Sequence, residues 1–478
     1  MNKKSGKKVL MLCTGGTIGM LPIDRGDPSS PLHPATWEEI QEYCPALTEL
    51  SFDVDTKEMD LIDSSDMHPD YWVEIATEIN TYYNEYDGFL VLHGTDTMAY
   101  TATALSFLLD NLSKPVIVTG SQIPLAKART DASQNLVTAL MIAASDGVPV
   151  VPEVCVLFNN LLIRGNRSRK VSSYGFNGFI SPNFKPLGEV GEYIKIDTKL
   201  IRKPTGDGLV IYGTLNRNVL LIDIFPGVVP ALLKNAFAIE GLKGVILRTY
   251  GAGNVPNDED LLEEIRKAVA KDITVVTISQ CQEGMVELGL YESSMGLVKN
   301  GVISGTDMTP EAALVKMMFL LGLELDNETV KSLMQTNLRG EQSLNVFNFI
   351  YDNSKTENNT KRLDSKQVPA GLKKEKIHKA IIRFDGLVSV NGKNKEELRK
   401  LAIFMGFPNA NKDTSTDIPQ CLGIIEKPAS NMGFILDCTD EVSRLINPAL
   451  PVQISIVSLN EADVKWKGIV FSIYTDVE

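Results

Sequence analysis

Short, continuously apolar runs alternating with longer amphipathic ones are the strongest constraint on what this chain can fold into. From Lys8 the order is VLMLC then WEEIQEY, GFLVLHG then AYTATALSFLLDNL, PVIVTGS then DASQNLVTALMIAA, and VCVLF. Strands apolar at every position must be buried on both faces, and strand-helix-strand order supplies the helices that bury them. The pattern therefore predicts an α/β fold with a mainly parallel sheet covered on both sides. Ligands in such sheets bind beyond the carboxyl ends of the strands. Those ends carry small polar residues here: Thr-Gly-Gly-Thr17 after the first, His-Gly-Thr-Asp-Thr97 after the second quoted, and Thr-Gly-Ser-Gln122 after the third. Three such loops are expected to converge on one crevice.

The same patterning divides the chain. A first α/β domain is expected over 1–190, and the pattern loosens into a polar connection around Leu187–Asp207. A second, smaller α/β domain is expected over 208–345, carried by GLVIYG, GVILRTYG, DEDLLEEIRKAVA, ITVVTIS and a helix from about Thr309 to Leu323. The stretch 354–376, SKTENNTKRLDSKQVPAGLKKEK, is polar, lysine-rich and without hydrophobic period, which predicts an exposed linker. Beyond it, HKAIIRFDGLVSV, the helix-like KNKEELRKLAIFMGF, CLGIIEK, MGFILD, PVQISIV and KGIVFSIY predict a small α+β accessory domain over 377–478.

Several function classes are disfavoured. No apolar run approaches the roughly 20 residues needed to span a bilayer. The N-terminus is basic and then apolar like a secretory signal, but the apolar part stops at Gly15-Gly16 and reads better as a first buried strand. Six cysteines scattered singly suggest a reducing cytoplasm and no disulfide framework. The four histidines lack zinc-site spacing, so neither metal nor cofactor is expected, and the catalytic base is expected to be a lysine or tyrosine. The formal net charge is -13, and residues 1–345 carry 29 basic against 43 acidic side chains, which disfavours nucleic-acid binding.

A threonine following a strand and two glycines suits nucleophilic chemistry, because glycines let backbone approach a ligand closely and adjacent amides can hold an oxyanion. A plain turn or a phosphate loop would look similar, although no GKS/T ending follows. Thr95-Asp96-Thr97 offers a hydroxyl beside a carboxylate, and a helix N-cap explains Asp96 or Thr97 equally well.

The blocks TGGTIGM (14–20), DSSDM (63–67), DGFLVLHGTDTMAYTATALSF (87–107), KPVIVTGSQIPL (114–125), RGNR (164–167), RTYGAGN (248–254) and NLRGE (337–341) occur in one order along the chain. In these it resembles the type I, cytoplasmic-form bacterial L-asparaginases over residues 7–342, with a C-terminal domain not typical of that family. The resemblance implies an asparaginase-like two-domain fold and hydrolysis of L-asparagine to L-aspartate and ammonia, with L-glutamine as a second substrate to consider. It makes Thr17 the nucleophile, with Thr95, Asp96 and Lys170 as the second catalytic group, while the sequence does not decide which threonine attacks first. Asp63, Ser64 and Ser65 would hold the substrate's α-amino and α-carboxylate groups, with Asp96 facing the ammonium and Ser121 offering backbone to the leaving amide. It further implies a homodimer or tetramer in which Asn254 of the adjacent subunit completes the pocket.

Two departures stand out. Many family members orient the nucleophile with a tyrosine on the loop just after it. Here no tyrosine occurs from Ile18 to Trp37, and Asp27 stands at the ungapped position. Tyr291, in GLYESSMG, matches the second-domain tyrosine that some relatives use instead. Arg169 stands where small hydroxyl residues usually precede the lysine, near a separate asparagine-sensing pocket that some relatives build around positions matching Arg248 and Cys281. Two other functions fit the same residues: a non-catalytic amino-acid sensor, and the ammonia-producing subunit of a tRNA-dependent amidotransferase. Relatives of the second kind carry an N-terminal barrel-like module, whereas the first strand here is expected at about Lys8.

Overall fold

A computed structural model describes residues 5–24, 30–288, 292–351, 354–357, 360–363, 365–369, 372–384, 387–389, 398–428, 434–447, 449–459, 464–466 and 468–477. The chain divides into two compact units: Met1–Val219 with Met308–Leu325 and Leu338–Glu341, and Leu220–Asp307 with Asp326–Asn337 and Gln342–Glu478.

The first unit is built on the expected sheet. Its elements are β1 (Lys8–Cys13), α1 (Trp37–Tyr43), β2 (Asp53–Glu58), α2 (Pro69–Thr81), β3 (Gly88–Leu92), α3 (Met98–Leu108), β4 (Val116–Thr119), α4 (Ala132–Ala143), β5 (Val154–Phe158), β6 (Leu161–Arg164), β7 (Gly188–Val190) and β8 (Ile194–Ile196). Across the sheet the order is β8-β7-β6-β5-β4-β3-β1-β2. The five strands from β2 to β5 run parallel, so their carboxyl ends lie along one edge. β3 and β5 are buried at every position, which is why their sequences do not alternate. α1 starts with a capping box, Thr36 and Glu39 each bonding the other's backbone amide.

The helix Pro310–Gly322, read in sequence with the second domain, belongs to this first unit. Its Phe319 stacks on Phe107 of α3 at 5.5 Å. Its Lys316, wholly buried, pairs with the equally buried Glu341 at 2.6 Å.

In the second unit, β9 (Val219–Asp223), β10 (Gly244–Thr249), α5 (Glu259–Val269), β11 (Thr274–Ser279) and β12 (Ile303–Ser304) form the small α/β domain, with sheet order β9-β10-β11-β12. The C-terminal region adds β13 (Leu344–Tyr351), β14 (Ser354–Glu357), β15 (Thr360–Leu363), β16 (Ile377–Phe384), β17 (Leu398–Met405), β18 (Cys421–Pro428), β19 (Phe434–Asp437), α6 (Thr439–Leu445), β20 (Ile454–Ser458) and β21 (Ile469–Asp476). They form two antiparallel sheets, ordered β13-β21-β16-β19 and β14-β15-β20-β17-β18.

Two expectations are corrected here. The stretch read as a linker supplies the hairpin β14–β15, because only Thr360 and Leu363 of β15 need to turn inward to hold it on β20. The run LRKLAIFM, read as helix-like, is the strand β17 between β18 and β20, with Leu401 to Phe404 all buried. A short apolar run buried on both faces carries no period with which to tell strand from helix.

Candidate active site

The loops leaving β1, β2, β3 and β4 meet at the carboxyl edge of the sheet, and glycine is what allows the approach. Gly15 and Gly16 have φ of 110° and 87°. A Cβ on Gly16 would lie 2.3 Å from the amide nitrogen of Gly94, and one on Gly15 would lie 2.4 Å from the carbonyl oxygen of Ile62. On Gly94 it would meet Ser64 Oγ at 2.5 Å, and on Gly120 the carbonyl oxygen of His93 at 2.3 Å. Gly15 on Ile62, Gly16 on His93-Gly94 and Gly120 on His93 are thus packed backbone against backbone, with the Ser64 side chain set against Gly94, so Thr17, Thr95 and Ser121 each follow directly on a residue in this contact.

Thr17 opens a single 3-10 turn, Thr17–Gly19, and is half-buried. Among the described residues its hydroxyl has no hydrogen-bond partner. Thr95 is also half-buried, and Lys170 donates to its Oγ1 at 2.8 Å and to Asp96 Oδ1 at 2.7 Å. Lys170 is 17% exposed against 68% for Asp96, so the carboxylate meets solvent while the ammonium turns inward. The lysine sits on a short antiparallel pair, opposite Phe179. Gln122 ties this hairpin to the β4 loop, donating from Nε2 to the carbonyl of Gly175 at 2.9 Å. Asp131 in turn fixes the loop by accepting from the amides of Gln122 and Ile123 at 3.0 to 3.1 Å.

The capping explanation of the second loop is decided by these contacts. Thr97 precedes α3 but makes no side-chain cap bond, and its hydroxyl donates to the carbonyl of Ser64 at 2.6 Å. Asp96 is engaged by Lys170. In the DSSD turn, Asp63 accepts from the amide and the hydroxyl of Ser65, each at 2.8 Å. Those two bonds hold its carboxyl below the ordinary range, so it stays a full anion on an exposed turn. Ser64 is buried and Ser65 exposed. Ser121 is 2% exposed, and its hydroxyl has no hydrogen-bond partner among the described residues.

Sequence reasoning passed over His93. The wholly buried ring lies at the end of β3, with Nδ1 2.6 Å from the carbonyl of Gly94 and Nε2 2.8 Å from Thr101 Oγ1. Thr101 also accepts from Trp72 Nε1 at 2.9 Å. Burial pushes the imidazole down to about 4, so it is neutral, and the tautomer with hydrogen on Nδ1 satisfies every group in the chain. His93 holds the peptide before Thr95 in place. Its only trace in the sequence is a histidine closing an apolar strand, which does not separate support from chemistry.

Beside the Thr17–Gly19 turn lies a cavity of about 640 Å³, lined among others by Cys13, Gly15, Gly19, Met20, Trp37 and Glu58. Burial, reinforced by Glu58, pushes the Cys13 thiol up to about 11, which makes it a poor nucleophile.

Asn254 lies in the second unit on a tight turn whose ends exchange backbone bonds with Tyr250, Tyr250 N to Asn254 O at 2.9 Å and the reverse at 2.8 Å. Arg248 is paired with Asp223 at 2.9 Å, and Cys281 is exposed. Asp27 and Tyr291 lie outside the described residues.

Comparison with known proteins shows the family of the fold that carries this site. Residues 8–202 match the family model described as Asparaginase, N-terminal, and residues 218–334 match Glutaminase/Asparaginase C-terminal domain. L-asparaginase 1 of Escherichia coli strain K12 is 43% identical over 345 residues, spanning 71% of this chain and 98% of that protein. The 60 kDa lysophospholipase of Mus musculus is 44% identical over 288 residues, 59% of this chain and 50% of that protein. The crystal structure of L-asparaginase I from Vibrio cholerae superposes with a TM-score of 0.63 at 40% identity, covering 71% of this chain and all of that one.

Proposed function

The chain belongs to the asparaginase family, and on that premise we propose that it hydrolyses the side-chain amide of L-asparagine, with Thr17 as nucleophile. The observation that carries the reading is the Lys170 ammonium shared between Thr95 Oγ1 and Asp96. A hydroxyl that accepts from a lysine turns its own hydrogen outward, ready to be passed on or to orient a water. Thr17 Oγ attacks the amide carbon, its proton passes through a neighbouring relay to the amide nitrogen, and the C–N bond breaks to release ammonia and leave the aspartyl ester on Thr17. Water, activated beside Thr95, then cleaves the resulting ester to give aspartate. Nearby backbone amides of the crowded glycine loops suit the oxyanion formed in each half.

Asp63, Ser64 and Ser65 would take the amino-acid end of the substrate. An anionic Asp63 favours an α-ammonium, which selects a zwitterion over a simple amide. Ser121 would face the leaving amide. Asn254, contributed by an adjacent subunit of a homodimer or tetramer, and Tyr291, as the residue that orients Thr17, are assigned by family membership. A cytoplasmic location is supported by six free thiols. Among the described residues, no helix is long and apolar enough to cross a membrane.

The test is ammonia release from asparagine, glutamine and acetamide by the wild type, Thr17→Ala and Lys170→Met. Asparagine should be turned over and acetamide should not. Each substitution should lower kcat by roughly a hundredfold or more. A wild type that binds asparagine without releasing ammonia would replace this reading with that of a sensor. A second activity, ester hydrolysis, is favoured by the 640 Å³ cavity beside Thr17 and by the mouse relative's name. Release of fatty acid from lysophosphatidylcholine, abolished by Thr17→Ala, would establish it.

A further inference from the structure

The C-terminal sheets lie beyond the matched family domains, yet within the second unit they reach back to the turn that carries Asn254. The link is the segment Met285–Leu288. On one side the segment supports the turn. The Glu287 amide donates to the carbonyl of Ala252 at 3.1 Å, and Gly253, at φ 113°, rests on Val286 and Leu288 so closely that a Cβ there would meet Val286 Cγ1 at 2.9 Å. The segment is itself anchored, through the Val286 amide to the carbonyl of Thr306 at 3.0 Å and Ser304 Oγ to the carbonyl of Val286 at 2.8 Å.

On the other side the segment meets the accessory sheet. Met285 packs on a cluster of Leu344, Val346, Ile381 and Tyr474 from β13, β16 and β21. Lys379 of β16 donates to Glu287 Oε2 at 2.8 Å, its ammonium 6.0 Å from the centre of the Tyr474 ring. The pairing of β16 with β21 shifts register between Ile377 and Lys379, and such a bulge re-aims the side chain that follows it. Lys379 and Glu287 are 33% and 20% exposed, so the pair is partly shielded from water and salt.

We propose that Lys379 is a positioning residue through which the C-terminal domain braces the Ala252–Asn254 turn and so sets affinity for the amino-acid substrate. The proposal rests on the assignment of Asn254 to the substrate pocket made above. A brace on a binding turn acts on KM and leaves kcat nearly unchanged, whereas general destabilisation lowers the amount of active enzyme and leaves KM alone.

The test compares full-length wild type with Lys379→Met, Lys379→Arg, Glu287→Gln and Asn254→Ala. KM and kcat for asparagine are measured with melting temperature and solution mass, and calorimetric Kd replaces KM if the protein binds without turnover. Lys379→Met and Glu287→Gln should each raise KM roughly two- to fivefold, the reach of a partly exposed ion pair, with kcat within a factor of two. Lys379→Arg should stay near wild type. An unchanged KM in both Lys379→Met and Glu287→Gln, or an arginine variant as impaired as the methionine one, overturns the proposal. If one of these variants does not fold, the other decides. An unchanged KM in Asn254→Ala instead sinks the assignment of Asn254, and the brace with it.

Discussion

Gly16→Ala is the sharpest single perturbation of the site, because both the conformation and the space at residue 16 exclude a side chain. Gly16 has φ 87° and ψ 163°, a region open essentially to glycine alone, and an alanine held there costs about 1–3 kcal/mol. Its Cβ would stand 2.3 Å from the Gly94 nitrogen, 2.6 Å from Gly94 Cα and 2.7 Å from the carbonyl carbon of His93, where ordinary contact begins at 3.4 Å. All three atoms are backbone, so no rotamer relieves the clash and the loops carrying Thr17 and Thr95 must part by about 1 Å. Misplacing reacting groups by that distance costs on the order of a hundredfold in rate. The assay is kcat/KM for asparagine with a melting curve on the same preparation. Gly191→Ala serves as the control, since nothing lies within 4 Å of a Cβ there and its φ is not positive. We expect Gly16→Ala to fold with a lowered melting temperature and to lose about two orders of magnitude in kcat/KM, with Gly191→Ala near wild type. Activity within threefold of wild type would refute the argument that glycine packing fixes the distance between the two threonines.

Ser121→Ala should separate the hydroxyl from the backbone. It removes a buried hydroxyl that has no hydrogen-bond partner among the described residues and keeps the backbone assigned to the leaving amide, so the melting temperature should hold or rise and kcat/KM should stay within about threefold of wild type. A tenfold fall in kcat/KM at an unchanged melting temperature would show that the hydroxyl, and not the backbone, meets the substrate. Glu341→Gln removes the ion pair between Glu341 and the equally buried Lys316 and should cost about 3–5 kcal/mol, read by guanidinium unfolding followed by tryptophan fluorescence. A loss under 1 kcal/mol would mean that the lysine sheds its proton at little cost. The same carboxyl gives a pH signature. Burial pushes Glu341 up, but Lys316 and the amides of Leu338 and Arg339 outweigh it and hold it down at about 2, against 4.5 for a free glutamate. Its contribution is therefore complete above about pH 5 and is lost as pH falls from there toward 2. The guanidinium midpoint should drop more steeply between pH 5 and 3 in the wild type than in Glu341→Gln, and parallel curves would exclude this carboxyl as the source.

Residue types chosen by chemistry were legible in the sequence, and those chosen by packing were not. Thr17 and Thr95 could be picked out because loops at the ends of apolar strands in a parallel sheet share one edge, whereas Ser121 and Lys170 were named through the family resemblance; the structure places the loops that carry Thr17, Thr95 and Ser121 in close contact. Whether Asp96 and Thr97 capped a helix or did something else could not be read, since the oxygens that satisfy a free helical amide also bind a lysine or a distant carbonyl. Only geometry showed Asp96 on Lys170 and Thr97 on Ser64. The C-terminal region was misread for a related reason. β17 lies between two other strands and so lacks alternation, while β15 turns only two residues inward and so lacks a hydrophobic run.

His93 shows why the support of a site stays hidden when its chemistry does not. In a chain with four histidines, one placed beside Thr95 invites the role of general base. In place, however, both ring nitrogens are engaged, one by the Gly94 carbonyl and the other by a threonine that also accepts from Trp72. Taking up a proton there would charge a wholly buried ring and break its bond from Thr101, because Nε2 would become a donor facing that hydroxyl. His93 is thereby left a supporting role, and the proton route proposed above runs instead through the half-exposed group around Thr95 and Lys170, where a carboxylate open to solvent already balances the ammonium.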